Sequence, residues 1–249
     1  MDERKWIERI LAGDTQSFSC LVAKYEKMAY TIALRILENR EEAEEAVQDA
    51  FVKMYRALSD FHFDSKFSTW FYRIVYRTAL TALRQQRMFV SYEEAGPVDL
   101  SNDEVESATA LLEREDRKEM IARTLKKLPV DEALLLTLYY LEECSVEEIC
   151  QITELSASNV KVKLFRGRKR FYEVLQDKMK FVMNMNEKDI DHLTRKLMRG
   201  TAEQPSASLN SRIMALIIQE KKRVYKYYIK KRFTPVGIFS MFVAYMLVL

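Results

Sequence analysis

Glycine and proline are scarce in this chain, with five Gly and four Pro in 249 residues. Sheet-rich folds spend both at their many turns, so the scarcity points to helices joined by short polar connections. Cysteine and histidine are as sparse. Cys20, Cys144 and Cys150 lie far from His62 and His192, and neither a CxxC pair nor a Cys/His ligand spacing occurs. No zinc, no disulfide and no cofactor is expected. There is no P-loop, no other glycine-rich phosphate cradle and no Ser/His/Asp grouping, which argues against an enzyme. The N-terminus, MDERKWIERI, is charged where a secretion signal would be apolar, so the folded part is expected to stay in the reducing cytoplasm.

What is present describes a folded, soluble protein over most of its length: 48% hydrophobic and 31% charged residues. The length holds one large or two small domains. The formal charge of +3 averages an acidic middle against basic segments at Arg73–Arg87, Lys161–Arg170 and Lys221–Arg232, so local charge carries more information than the sum.

Leu21, Tyr25, Met28, Ala29, Ile32, Ala33, Ile36 and Leu37 recur at a 3.6-residue period, and Val47, Phe51, Met54 and Leu58 form a second stripe. Together they read as a helical hairpin turning at Asn39. Its second helix opens with Glu41, Glu42, Glu44 and Glu45, where negative charge suits the positive end of the helix dipole. A third helix is expected from about Ser68 to Arg87. From Met88 to about Asp116 the periodicity stops and Gly96, Pro97 and many acids gather, which reads as a flexible linker with a nascent helix near its end. Beyond it Ile121, Leu125 and Leu128 lead to Pro129, and Ala133–Leu141 is apolar enough to require burial. The expected fold class is all-α: two small helical domains joined by a flexible linker, the second a helix-turn-helix, plus a helical C-terminal extension. The expected boundaries are 1–88, 89–117, 118–180, 181–232 for an amphipathic basic extension, and 233–249 for an apolar terminal segment.

Between Asp60 and Arg84, the aromatics Phe61, Phe63, Phe67, Trp70, Phe71, Tyr72 and Tyr76 alternate with Lys66, Arg73, Arg77 and Arg84. Flat faces for unpaired bases, with cations that follow phosphates, are the chemistry of single-strand capture. A core reading competes, because Trp70, Phe71, Ile74, Val75, Thr78, Ala79, Ala82 and Leu83 fall at helical spacing; about half of the aromatics are expected to be core.

In SVEEICQITELSASNVKVKLFRGRKRF, Ser145 and Glu148 make a capping box, and Ser156 or Ser158 can cap a following helix. That helix is apolar at Val160, Leu164, Phe165 and Phe171 and carries Lys161, Lys163, Arg166, Arg168, Lys169 and Arg170. The pattern is that of a helix-turn-helix whose second helix enters a major groove. A plain hairpin with a solvated basic face is the competing reading, but six cations this close repel one another without an anionic partner.

YEKMAYTIALRILENREEAEEAVQDAFVKMYRAL, FDSKFSTWFYRIVYRTAL and LPVDEALLLTLYYLEECSVEEICQITELSASNVKVKLFRGRKR follow one another in this order. On these motifs, residues from about 5 to 178 resemble an RNA polymerase sigma factor of the extracytoplasmic-function group, the minimal kind with two domains and a linker. The resemblance implies that Glu45, Gln48 and Asp49 face basic groups on the clamp helices of core RNA polymerase. It implies that Phe61, Phe63, Asp64, Ser65, Lys66, Phe67, Trp70, Arg73 and Arg77 capture an unstacked base of the promoter −10 element and melt promoter DNA without ATP, Asp64–Phe67 shaping the pocket. Trp70 is expected to be partly structural, Phe63 and Phe67 to lie at the surface. The −35 element would be met by Ser158, Asn159, Lys161, Val162, Lys163, Phe165, Arg166 and Lys169, with Lys161, Phe165 and Arg166 at positions that contact DNA in relatives and Lys163, Arg168 and Lys169 on phosphates. The acidic linker would thread the RNA exit path. The chain departs from the family pattern at Arg77, where Asn is common, at Glu154, where a turn Gly is usual, and at Val162, where Ser is usual.

The sequence continues well past Lys180. Pro235–Leu249 holds no charge, but its 15 or so residues reach only ~22 Å as a helix against a ~30 Å bilayer core. With Phe233 and Thr234, and local thinning, it just spans. The basic run Lys221–Arg232 before it would hold the preceding domains on the cytoplasmic side and attract anionic lipid. PSASLNSRIMALI resembles the cytoplasmic start of the single-pass inhibitors that accompany such sigma factors, without the zinc-binding His and Cys of one inhibitor group. The expectations are membrane contact, tethering to the inner membrane and a membrane-bound anti-sigma regulator as partner; a buried apolar terminal helix competes. A stand-alone helix-turn-helix repressor or activator would leave the aromatic segment and acidic helix without a role, and a helical membrane-anchored adaptor would leave the cationic helix unexplained.

Overall fold

The computed structural model of the protein describes residues 3–90, 111–179 and 186–232. Its helices are α1 (Glu3–Leu11), α2 (Phe18–Leu37), α3 (Arg40–Arg56), α4 (Phe67–Val90), α5 (Leu111–Lys126), α6 (Val130–Tyr140), α7 (Val146–Thr153), α8 (Ala157–Met179), α9 (Glu187–Met198) and α10 (Leu209–Arg232). Among the described residues there is no strand.

The hairpin α2/α3 turns where local chemistry directs it. Glu38 ends α2 in the left-handed conformation at φ 56°, and the Asn39 side chain accepts from the backbone N–H of Glu41 and Glu42 at 2.9 and 3.2 Å. The stripes that follow bury Leu21, Tyr25, Ala29 and Ile32 of α2 against Val47, Phe51 and Met54 of α3, and α4 closes the bundle with Phe71, Val75 and Ala79. Phe71 is the hub, its ring 4.7 Å from Phe51, 6.0 Å from Tyr25 and 6.3 Å from Phe67.

The aromatic segment differs from the surface expectation. Phe61 and Phe67 are 7% and 3% exposed, because the chain reverses between them through Phe63 at φ 61° and turns both rings inward. Phe67 lies 5.3 Å from Tyr25, and Phe61 packs 5.0 Å from Trp70. Phe63 stays outside.

The second unit is built from α5 to α8. Its capping box is complete: the Ser145 hydroxyl accepts from Glu148 N–H at 3.2 Å while Glu148 accepts from Ser145 N–H at 2.8 Å. Ser156 starts α8, its hydroxyl accepting from Asn159 N–H at 3.4 Å. Gly167 is where α8 crosses α6; a Cβ there would stand 3.3 Å from both Glu132 Cβ and Leu136 Cγ. The part of the expected linker that begins at Leu111 is helical, as is the end of α4 up to Val90, and residues 91–110 lie outside the described residues.

The extension folds back over both units. α9 packs on α5, α6 and α8, and α10 packs on α2 and α3. Leu209, Ile213 and Ile217, one apolar stripe of α10, are fully buried, each contributing roughly 1.5–3 kcal/mol. Among the described residues no helix is long and apolar enough to cross a membrane, and the expected apolar segment 233–249 lies outside them.

Replacing Phe67 by Ala removes a ring from this core. It is expected to cost about 3–5 kcal/mol of stability, read from urea unfolding; an unchanged midpoint would mean the ring is not held as the packing shows.

Candidate nucleic-acid interface

Helix α8 presents one solvent face. Ser158, Asn159, Lys161, Val162, Phe165, Arg166 and Lys169 are all exposed, and they recur every three or four residues along the helix as the adjacent pairs 158/159, 161/162 and 165/166 followed by 169. Val162 and Phe165, 46% and 47% exposed, are large apolar side chains left in water beside cations, a combination suited to base edges and thymine methyl groups in a groove. Two cations expected on phosphates point elsewhere. Lys163 is paired with Asp131 of α6. Arg168 is 16% exposed in its side chain and reaches Glu187 at 3.3 Å and Asp191 at 3.7 Å, both on α9. Their helical phase turns them toward α6 and α9, away from the open face. Burial pushes the Asp131 carboxyl up, but the Lys163 ammonium together with nearby backbone N–H groups outweighs this and holds it below the usual carboxylate range.

The second surface lies at the start of α4. Phe63 is 39% exposed in a left-handed conformation rare for a non-glycine residue, with the Arg4 guanidinium 4.7 Å above its ring. Trp70 is half-buried, its ring 5.0 Å from Phe61 and 5.5 Å from Phe67. Asp64 and Lys66 are exposed and Ser65 is half-buried in the connecting turn. Arg73 and Arg77, one helical turn apart, are exposed on α4.

These cations already have partners on the other unit. Lys66 is 2.8 Å from Glu148, Arg73 is 3.0 Å from Glu154, and Arg77 also pairs with Glu154. Hydrogen bonds from Arg77 and then Arg73 hold the Glu154 carboxyl below its ordinary value. Glu154 closes α7 at φ 64°, a conformation glycine adopts more easily, so a strained acidic residue stands where it meets two arginines. Beneath these pairs the Tyr72 hydroxyl donates to Glu142 at 2.9 Å, and burial raises the Glu142 carboxyl. The α4 surface and the α7 turn therefore face each other across an acid-base seam, while the α8 face looks outward.

On α3, Glu45 and Asp49 are exposed, and Gln48 is half-buried with its amide donating to the Glu44 carbonyl at 3.3 Å. The acid that makes the richest contacts is Glu44, one of the acids that open the helix. It accepts from Ser206 N–H at 2.7 Å and from the Ser206 hydroxyl at 3.0 Å, and it pairs with Arg212. Arg35, 5% exposed on α2, is held at 3.0 Å by Glu203. Neither contact has a signal in the sequence, since the partners lie 162 to 168 residues away.

Residues 21–88 match the family Sigma-70 region 2, and residues 118–171 match Sigma-70, region 4. The RNA polymerase sigma-H factor of Pseudomonas aeruginosa is 32% identical over 181 residues, covering 70% of this chain and 94% of that protein. The ECF RNA polymerase sigma-E factor of Escherichia coli is 31% identical over 169 residues, covering 65% of this chain and 88% of that protein. A solved structure, the sigma factor RpoE in complex with the anti-sigma factor NepR from Bartonella quintana, shares the fold at a TM-score of 0.54 and 17% identity, over 65% of this chain and 98% of that one. The first region covers α2–α4 with the aromatic turn, the second covers α8 with its outward basic face, and the chain belongs to the extracytoplasmic-function group of RNA polymerase sigma factors, which direct promoter-specific transcription initiation.

Proposed function

We propose a division of labour among three surfaces of this sigma factor, which acts as a specificity subunit and not as a catalyst. Helix α3 docks on core RNA polymerase through Glu45, Gln48 and Asp49, whose acidic face is complementary to a basic partner. Helix α8 reads the −35 element, with Lys161 and Arg166 contacting base edges, Phe165 and Val162 making apolar contacts, and Ser158, Asn159 and Lys169 at the border of the groove. The start of α4 captures the −10 element, with Phe63 and the half-buried Trp70 as aromatic contacts and Lys66, Arg73 and Arg77 following the strand. The observation that carries this reading is the α8 face, where exposed cations surround two unburied apolar side chains.

Capture by α4 requires an opening step. Lys66, Arg73 and Arg77 must leave Glu148 and Glu154 before they can meet phosphates. Core polymerase, by holding both units at promoter spacing, supplies the interactions that separate them. A further partner is an anti-sigma regulator, a reading supported by the likeness of PSASLNSRIMALI to such inhibitors and by the complex in which RpoE was solved with NepR. Membrane contact and tethering at the inner membrane through 233–249 rest on the uncharged run and the basic stretch before it.

Run-off transcription with bacterial core polymerase on a promoter library tests the whole reading. Promoter-selective transcripts are expected with the chain and absent with core alone; identical products from both would refute it. Lys161→Ala or Arg166→Ala is expected to relax selection at one −35 base and to cost about 1–3 kcal/mol of discrimination. Equal effects at every base of that element would remove these residues from base reading. Phe63→Ala should leave the melting temperature nearly unchanged while lowering permanganate reactivity of the melted promoter, and undiminished reactivity would exclude Phe63 as a stacking face.

A further inference from the structure

Most of the second half of α10 is basic, yet its first half does not lie free as an accessory helix. Leu209, Ile213 and Ile217 are fully buried against the α2/α3 face of the first unit. Around this stripe runs a set of polar contacts to the same unit. Arg212 pairs with Glu44, Glu220 makes a two-pronged pair with Arg56 at 2.8 Å to both nitrogens, and the Lys221 ammonium donates to the Gly13 carbonyl at 2.7 Å. The stretch before α10 joins in, with Glu203 N–H donating to Thr31 at 3.0 Å and the Glu203 carboxylate meeting the buried Arg35. The other end of the extension is fixed to the second unit. Tyr140 donates to Asp191, and Arg168 reaches Glu187 and Asp191 of α9.

We infer that residues 186–223 form an intramolecular clasp that inhibits this sigma factor, covering the flank of α3 beside Glu45, Gln48 and Asp49 and holding the second unit against the α4 surface. The inference rests on the proposed docking role of α3. Its chemical basis is mimicry: the acidic start of α3 fits a basic partner, and the chain supplies one of its own in Arg212, with Ser206 completing the donors around Glu44. Glu44, held by Arg212 and Ser206, lies one turn before the half-buried Gln48, while Glu45 and Asp49 beside them are exposed. A partner seated across these residues meets the body of α10. A segment tethered in the same chain acts at an effective concentration on the order of millimolar, so a helix of modest intrinsic affinity competes well with a separate protein. The clasp and the seam reinforce each other. While α9 holds α6 and α8 and α10 holds α2 and α3, Glu148 and Glu154 stay over Lys66, Arg73 and Arg77.

The test uses the full chain. Arg212→Glu and Ile213→Asp, both in α10 and outside the proposed docking and DNA-reading residues, are compared with wild type for affinity to core RNA polymerase by fluorescence anisotropy. Each is expected to bind core at least about five-fold more tightly, the lower end of common coupling between sites, and to raise run-off transcription from a selected promoter. Equal or weaker core binding by both variants would overturn the clasp. A charge exchange guards against variants that gain binding by misfolding. Glu220→Arg alone should loosen the clasp and tighten core binding, and adding Arg56→Glu should return the affinity toward wild type; failure of the double variant to reverse the single one would likewise overturn it. Tighter core binding without promoter-selective transcripts would keep the clasp and count against the promoter-reading roles instead.

Discussion

The packing of the Phe71 ring against Phe51 and Phe67 is the contact on which the arrangement depends. It draws α3 and the start of α4 onto α2 and fixes the turn at Phe61–Lys66, so that Phe63 is left outside in a left-handed conformation while its aromatic neighbours are buried. The neighbouring residue, Tyr72, is fully buried and carries its hydroxyl to Glu142 of the second unit. One aromatic cluster thus supports the fold of the first unit, the exposure of the Phe63 ring and the attachment of the second unit. A displaced Phe71 would loosen all three, because close-packed interiors transmit strain instead of absorbing it.

The second unit depends on a tighter constraint. At Gly167 α8 passes α6 so closely that a Cβ would stand 3.3 Å from Glu132 Cβ and Leu136 Cγ, and these side chains would have to give by a few tenths of an ångström to admit it. That approach sets the phase of α8. With Val160, Leu164 and Phe171 turned inward, Lys161, Phe165 and Arg166 must face out, and Lys163 and Arg168 must turn to the flanks where acids of α6 and α9 receive them. Outward-facing and paired cations are separated by helical phase, although the sequence shows them as one basic run.

Charge is distributed in the folded chain to join parts that are distant in sequence. The small net charge of +3 conceals the Glu44 acid of α3 set against Arg212 of α10, Glu154 at the end of α7 against Arg73 and Arg77 of α4, and Asp191 of α9 against Arg168 of α8. Exposed pairs of this kind are individually weak. Their effect comes from repetition around buried contacts: Tyr72–Glu142 within the seam, and the Leu209–Ile213–Ile217 stripe under the extension. Such an assembly is stable enough to persist and can still be taken apart by a partner that offers better contacts to several of its members at once.

Much of this was legible along the chain. The stripes Leu21–Leu37 and Val47–Leu58, the Asn39 turn, the Ser145–Glu148 box and the outward Lys161–Arg166 face are local patterns. They act within one or two helical turns, where periodicity and capping determine the outcome. The family and its two regions followed from the same segments. The inward turn of Phe61 and Phe67 was not legible, because an aromatic ring flanked by polar residues suits a surface or a core equally well until the chain reverses. The pairing of Arg77 with Glu154 across 77 residues and of Arg212 with Glu44 across 168 was decided only by tertiary structure. A charge attracts any opposite charge that comes near, and which one does is set by the packing of helices, not by spacing along the chain.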